Sequence, residues 1–176
     1  MLIDPVKEHG VVYRRTDIPF SYQGWPSVCR TESGRLISVC SGYRLAHVCP
    51  FGKTVMNFSD DEGGTWSPPI IINDGPLDDR DAGIVSLGGG KLLVTWFVHP
   101  AQAMEKTYYD RIRADLPPEE WELARARIDA YKNMSEETRR GGSYVMLSDD
   151  GGVTWACRCW RCTPAGSSWA SGISSA

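Results

Sequence analysis

The chain contains no run of about 18 apolar residues, which excludes a transmembrane helix. Its N-terminus, MLIDPVKEHG, has neither the basic region nor the apolar stretch of a secretory signal. The sequence as given is therefore read as cytoplasmic. Excess charge is scarce: 19 Lys and Arg stand against 22 Asp and Glu, a net charge of −3. That balance argues against nucleic acid or an anionic membrane as the main partner. Metal and nucleotide spacings are missing too. The acidic segments lack the D-x-[DN]-x-[DN]-G-x5-E spacing of a calcium loop, and Gly90-Lys91 is followed by Leu92 where a P-loop needs Ser or Thr. Cys157, Cys159 and Cys162 offer three thiolates as C-x-C-x2-C, short of the two separated pairs of a structural zinc site. Cys29, Cys40 and Cys49 lie in a strand-like region, where a free thiol acts as a small hydrophobe. No metal and no cofactor are expected.

What the chain does have is globular: 41% apolar residues, seven Trp and eighteen Gly in 176 residues. Length alone suggests one domain. The informative feature is an internal repeat. Ser59-Asp-Asp-Glu-Gly-Gly-Thr-Trp66 and Ser148-Asp-Asp-Gly-Gly-Val-Thr-Trp155 share S-x-D-x-G-x-T-W. Two strand-like runs joined by a glycine turn precede each. In the first unit these are PSVCRTESGRLISVCSGY; in the second, AGIVSLGGGKLLVTWFV. A third run (KTVMNF, SYVML) leads into each octapeptide, and PPIIIN follows the first. Each unit thus reads as a four-stranded antiparallel meander.

The octapeptide falls where strands three and four reverse. Gly63 and Gly152 supply the positive φ of a tight turn, and Asp61 and Asp150 accept backbone N–H groups. Thr65 and Trp66, like Thr154 and Trp155, open the next strand, each Trp packing between sheets. With Ser59 and Ser148 these ten residues form a structural motif, not a catalytic one. Between strands two and three the second unit carries 33 more residues than the first. They read as helix: from Pro118, Trp121, Ala124, Ile128 and Tyr131 share one face, with Glu119 and Glu120 at the N-terminus. MEKTYYDRIRADL is a shorter helix before it. Arg125, Arg127 and Lys132 are assigned to its solvated face.

In such a meander the 2–3 loops and the unit-to-unit connection share the end opposite the octapeptides. That end collects Tyr43, Arg44 and His47, then Asp78, Asp79, Arg80 and Asp81 from the connection, with His99 and the helical insertion. Arginines, a histidine and carboxylates converging on loops suit sugar binding and acid–base chemistry.

Two such octapeptides, each closing a four-stranded unit, resemble the Asp-box (BNR) repeats of the sialidase superfamily over roughly Gly24 to Trp155. The resemblance implies an all-β fold, a six-bladed β-propeller, of which this chain holds about two blades. It also implies an exo-acting glycoside hydrolase releasing terminal sialic acid. In that family three arginines clamp the sugar carboxylate, an Asp is the acid/base, and a Tyr–Glu pair is the nucleophile. Guanidinium–carboxylate pairing accounts for the arginines. The first clamp position, however, reads Gly24-Trp25-Pro26, and the loop from Ser41 to Gly52 holds no carboxylate.

The organisation expected is an N-terminal extension (1–23), blade one (24–74), blade two (81–156) with a helical insertion (101–140), and an irregular tail (157–176) whose composition suggests a shifted reading frame. The site expected comprises His47, Asp79 and Asp81 for catalysis, and Arg44, Asp78 and Arg80 for an acidic glycan. Two alternatives stand beside it: a propeller enzyme cleaving another acidic sugar linkage with a His acid/base, and a non-catalytic glycan-binding propeller. Two blades alone are expected to be inactive.

Overall fold

The computed structural model describes residues 9–16 and 19–157. Cys159, Cys162 and the tail from residue 158 lie outside them. The chain is mostly β, in two four-stranded antiparallel sheets with strand orders β1-β2-β3-β4 and β5-β6-β7-β8. The first contains β1 (Tyr22–Arg30), β2 (Leu36–Arg44), β3 (Lys53–Ser59) and β4 (Ile70–Asn73). The second contains β5 (Asp79–Gly88), β6 (Lys91–Val98), β7 (Gly142–Ser148) and β8 (Ala156–Cys157). Strand β5 begins earlier than the sequence suggests: Asp79, Arg80 and Asp81 belong to the strand, not to the connection before it.

The two sheets are copies by register. Ser27 pairs with Val39 as Gly83 pairs with Thr95, and Leu36 pairs with Ser59 as Leu92 pairs with Ser148. Corresponding residues of the first two strands are therefore 56 positions apart. Both octapeptides close with one hydrogen-bond set. Ser59 Oγ donates to Asp61 Oδ1 (2.8 Å) and accepts from the Gly63 amide (2.9 Å). Asp61 accepts from Thr65 N (2.8 Å) and Thr65 Oγ1 (2.7 Å). Ser148, Asp150, Gly152 and Thr154 repeat these contacts at 2.7, 2.8, 2.9 and 2.5 Å. The donors hold both carboxyls low, at about 2; for Asp61 the Thr65 amide leads, for Asp150 the Thr154 hydroxyl. Gly63 and Gly152 have φ of 90° and 92°, the left-handed region that glycine enters without steric cost.

The core lies between the sheets and continues beneath the insertion. Ile37, Val39 and Met56 of the first sheet meet Leu92, Val94, Trp96 and Met146 of the second, all buried. Their alternation is the period of two that a strand with one core face requires. The insertion folds as a π-helical turn (Ala103–Thr107), α1 (Tyr109–Asp115), α2 (Pro118–Ala130), a 3-10 turn (Tyr131–Asn133) and α3 (Glu136–Arg139). Ala124, Ile128 and Tyr131 are buried in the same core, while Trp121 is half-buried against it. Arg127 departs from the solvated face expected for it: Nη2 donates to the Gly75 carbonyl (3.2 Å), and the guanidinium lies 5.9 Å from the Phe51 ring centre. The insertion is thereby fastened to the connection between the sheets. Among the described residues, no helix is long and apolar enough to cross a membrane.

Candidate functional site

The 2–3 loop end of the sheets is organised around Asp78. Its Oδ1 accepts from Arg44 Nη1 (2.5 Å) and from the Gly52 amide (3.0 Å). Its Oδ2 accepts from Arg44 Nη2 (2.8 Å) and Arg80 Nη1 (3.2 Å). One carboxylate thus joins two guanidiniums, the first in a bidentate fork. Gly52 makes the arrangement possible: a Cβ there would lie 2.0 Å from Arg44 Nη1 and 2.1 Å from Asp78 Oδ1. Arg44 is 0% exposed, and its Nη groups also donate to Ser41 Oγ and to the Asp79 and His47 carbonyls.

These positions differ from those expected. The sequence predicts Arg44 and Asp78 facing a substrate, yet both are enclosed and engaged with protein, because each charge needs the other once removed from water. Arg80 is 6% exposed; its Nη1 bonds Asp78 and the His47 carbonyl (3.1 Å). Of the two arginines it is the one nearer the surface.

Above the ion pairs sits an aromatic layer that the sequence motifs do not reveal. The Trp25 ring lies 4.5 Å from the Arg80 guanidinium carbon and 5.1 Å from that of Arg44, a cation–π geometry. His47, exposed, meets Trp25 edge-on with ring centres 5.0 Å apart. Tyr22 Oη lies 3.3 Å from His47 Nδ1. Trp25 has φ of 52° and Asp81 φ of 50°, each within an irregularity of the first strand of its sheet. Trp25 and Asp81 are counterparts under the 56-residue repeat, as are Gly24 and Arg80. Bulges re-aim side chains at strand ends, and here the same bulge presents an indole from one sheet and an exposed carboxylate from the other. Lining up the two units by their first glycine turns, Gly34 on Gly90, was the signal that could have found Trp25. His99 is half-buried; burial, and then the Arg80 charge, hold it below the usual histidine value.

Asp79 leaves this cluster. Its backbone carbonyl accepts from Ser41 Oγ (2.5 Å), but its carboxylate lies among other partners. Oδ2 accepts from Asn73 Nδ2 (2.6 Å) and the Gly75 amide (3.4 Å), while Oδ1 is buried without a hydrogen bond. Burial lifts this carboxyl to about 6. It lines a cavity of about 140 Å³ with Trp96, Tyr144, Leu77, Val98 and Thr138. Of the two carboxylates expected for catalysis, Asp79 thus faces the cavity and Asp81 is exposed at the loop end. Among the described residues no group of three or more His, Cys, Asp or Glu could hold a metal ion.

Neither a protein-family model nor a curated protein matches the chain. Among solved structures, a protein of unknown function from Dyadobacter fermentans DSM 18053 is 23% identical, with a TM-score of 0.52, over 83% of this chain and 37% of that one. NanB sialidase from Streptococcus pneumoniae (the K499G mutant) is 20% identical, with a TM-score of 0.42, over 51% of this chain and 18% of that one. Polysaccharide lyase Uly1 is 18% identical, with a TM-score of 0.40, over 77% and 23%. The chain spans well under half the length of each. At 23% identity the first likeness is one of fold.

Proposed function

We propose that this chain is part of a sialidase-like glycoside hydrolase of the β-propeller type, acting on glycans that end in an acidic sugar. The observation that carries the reading is the layered cluster at the loop end: Asp78 holds Arg80, Trp25 covers it, and His47 and Asp81 stand exposed beside it. In this reading Arg80 pairs with the sugar carboxylate, and Trp25 supplies a flat surface for the sugar ring. Asp81 is the acid/base carboxylate and His47 assists proton transfer. Arg44 and Asp78 position Arg80; they do not touch substrate. The helical insertion walls the site.

The propeller architecture is supported by the repeat. The first sheet buries Ile37, Val39, Ser41 and Met56 towards the second. The second sheet carries Leu93, Thr95, Phe97 and Val145 at the corresponding positions, half-buried. A third unit stacked by the same step would cover them, and activity is assigned to that larger assembly.

The test is Arg80→Ala in the full-length parent, assayed on a fluorogenic sialoside and on uronic-acid glycans. Loss of a charged hydrogen bond to substrate, roughly 1.5–3 kcal/mol, corresponds to a fall in kcat/KM of about 10–100-fold, read on protein that is still folded by circular dichroism at the assay temperature. Unchanged sialic acid release overturns the assignment. Cleavage of uronic-acid glycans alone selects the other acidic-sugar enzyme, a reading favoured by the Tyr22–His47 contact, with His47 as acid/base. Glycan binding without turnover selects the non-catalytic propeller.

A further inference from the structure

The cavity beside Asp79 has no part in the chemistry proposed above. Five elements line it: the β4–β5 connection (Gly75, Leu77), β5 (Asp79), β6 (Trp96), α3 (Thr138) and β7 (Tyr144). Its volume of about 140 Å³ is close to the roughly 150 Å³ cavity known to hold benzene. One wall is apolar: the Trp96 and Tyr144 rings stack at 5.6 Å with planes 13° apart, and Leu77 and Val98 continue the surface. The other wall carries a single charge. Asp79 is 1% exposed, and its Oδ1 has no donor.

A buried carboxylate with one oxygen unsatisfied is costly, and nothing nearby answers it. Asp79 has no ion pair among the described residues. Arg127 donates instead to the Gly75 carbonyl, Arg44 to the Asp79 carbonyl, and Lys53 pairs with Asp74. Asp78 and Asp74 add negative potential at the site, offset in part by the Asn73 and Gly75 donors. The vacant acceptor, the absence of a counter-charge and the aromatic wall together describe a binding site with a polarity. We propose that this cavity binds a small organic ammonium, its N–H donating to Asp79 Oδ1 and its apolar body lying against Trp96, Leu77 and Val98. An aromatic face beside the charge suits a cation. A neutral donor would fill the hydrogen bond but leave the charge unanswered.

Calorimetric titration of the 176-residue chain with benzylammonium, and with benzyl alcohol as the neutral analogue, tests this. The expected result is saturable ammonium binding at pH 7.5 that falls about ten-fold at pH 5, as a carboxyl with a value of about 6 becomes mostly protonated. Asp79→Asn is expected to weaken binding ten-fold or more and to remove the pH dependence. Thr138→Trp, which fills the mouth without touching the carboxylate, is expected to abolish it. Asp81→Asn, on the other cluster, leaves it unchanged, so this site and the proposed glycan site fail independently. No binding by the unsubstituted chain, equal affinity for the alcohol, or retained affinity in Asp79→Asn overturns the proposal. If Asp79→Asn does not fold, Thr138→Trp and the pH arm decide: binding that survives either overturns it.

Discussion

The two sheets share one framework and fill it differently. Strand order, the pairing register of the first three strands and the octapeptide hydrogen bonds repeat, so the framework is specified by backbone geometry and a few turn residues. The facing surfaces are not repeated. The second sheet turns Leu92, Val94, Trp96 and Met146 into the core, whereas the corresponding residues of the first are Leu36, Ser38, Cys40 and Asn57. The 2–3 connection also diverges. In the first unit it is a short loop closed on an ion pair; in the second it is a helical insertion that buries Ala124, Ile128 and Tyr131. A common scaffold has therefore been given one polar loop end and one apolar, helix-covered end. The proposed glycan site and the cavity lie where the two kinds of filling meet.

The sharpest way to break this picture is at Asp78. Asp78→Ala leaves Arg44 and Arg80 buried without their carboxylate, and one-sided removal of a buried pair costs about 3–5 kcal/mol. Urea unfolding of the variant should show that loss, and Arg44→Met added to Asp78→Leu should recover part of it. Equal stability of Asp78→Ala and the parent would mean the cluster is not the anchor of the loop end. A second comparison sets Leu92→Ala against its counterpart Leu36→Ala. Leu92 is fully enclosed, so its truncation should cost about 2–5 kcal/mol, and half-buried Leu36 clearly less, by the same measurement. Similar costs would contradict the difference between the faces. The smallest effect distinguishes nothing by design. Asp61 and Asp150 both sit below the ordinary carboxyl value, so each stabilises above about pH 4 and loses that contribution as pH falls towards 2. Asp61→Asn and Asp150→Asn should flatten the acid limb of a melting-temperature profile to the same extent. Unequal slopes would show that the two turns are not energetically equivalent.

Much of the fold was legible because its determinants are local. Alternating apolar residues bounded by glycine gave the strands, Ser, Asp, Gly and Thr gave the turn, and helical spacing placed α2. Even there one position misleads: Glu62 adopts φ of 60° where its counterpart is Gly151, so the turn tolerates a side chain in a conformation that favours glycine. Arg30 pairs with the Glu62 carboxylate across the turn, which helps to hold it.

The site was legible in part. Sequence placed Arg44, His47 and Asp78 to Asp81 at one end of the sheets, and the topology does bring them there. Asp78 and Arg80 face one way and Asp79 the other by the ordinary alternation of extended chain. The bulge between Arg80 and Gly83 then re-aims Asp81, and which face meets the other unit's loop was hidden in the sequence. The role of Trp25 is not legible in the sequence because the charged groups it covers, Arg44 and Arg80, lie far along the chain.

By itself the sequence determined the repeat, the turn chemistry, the strand order and the helical insertion, all of which depend on contacts between residues close in the chain or on strict periodicity. Only the tertiary structure decided which charges are buried against each other, which carboxylate is left with an unsatisfied oxygen, and where an indole covers a guanidinium. Those outcomes depend on desolvation. Whether a charge loses its water is set by what the other sheet and the insertion place on top of it.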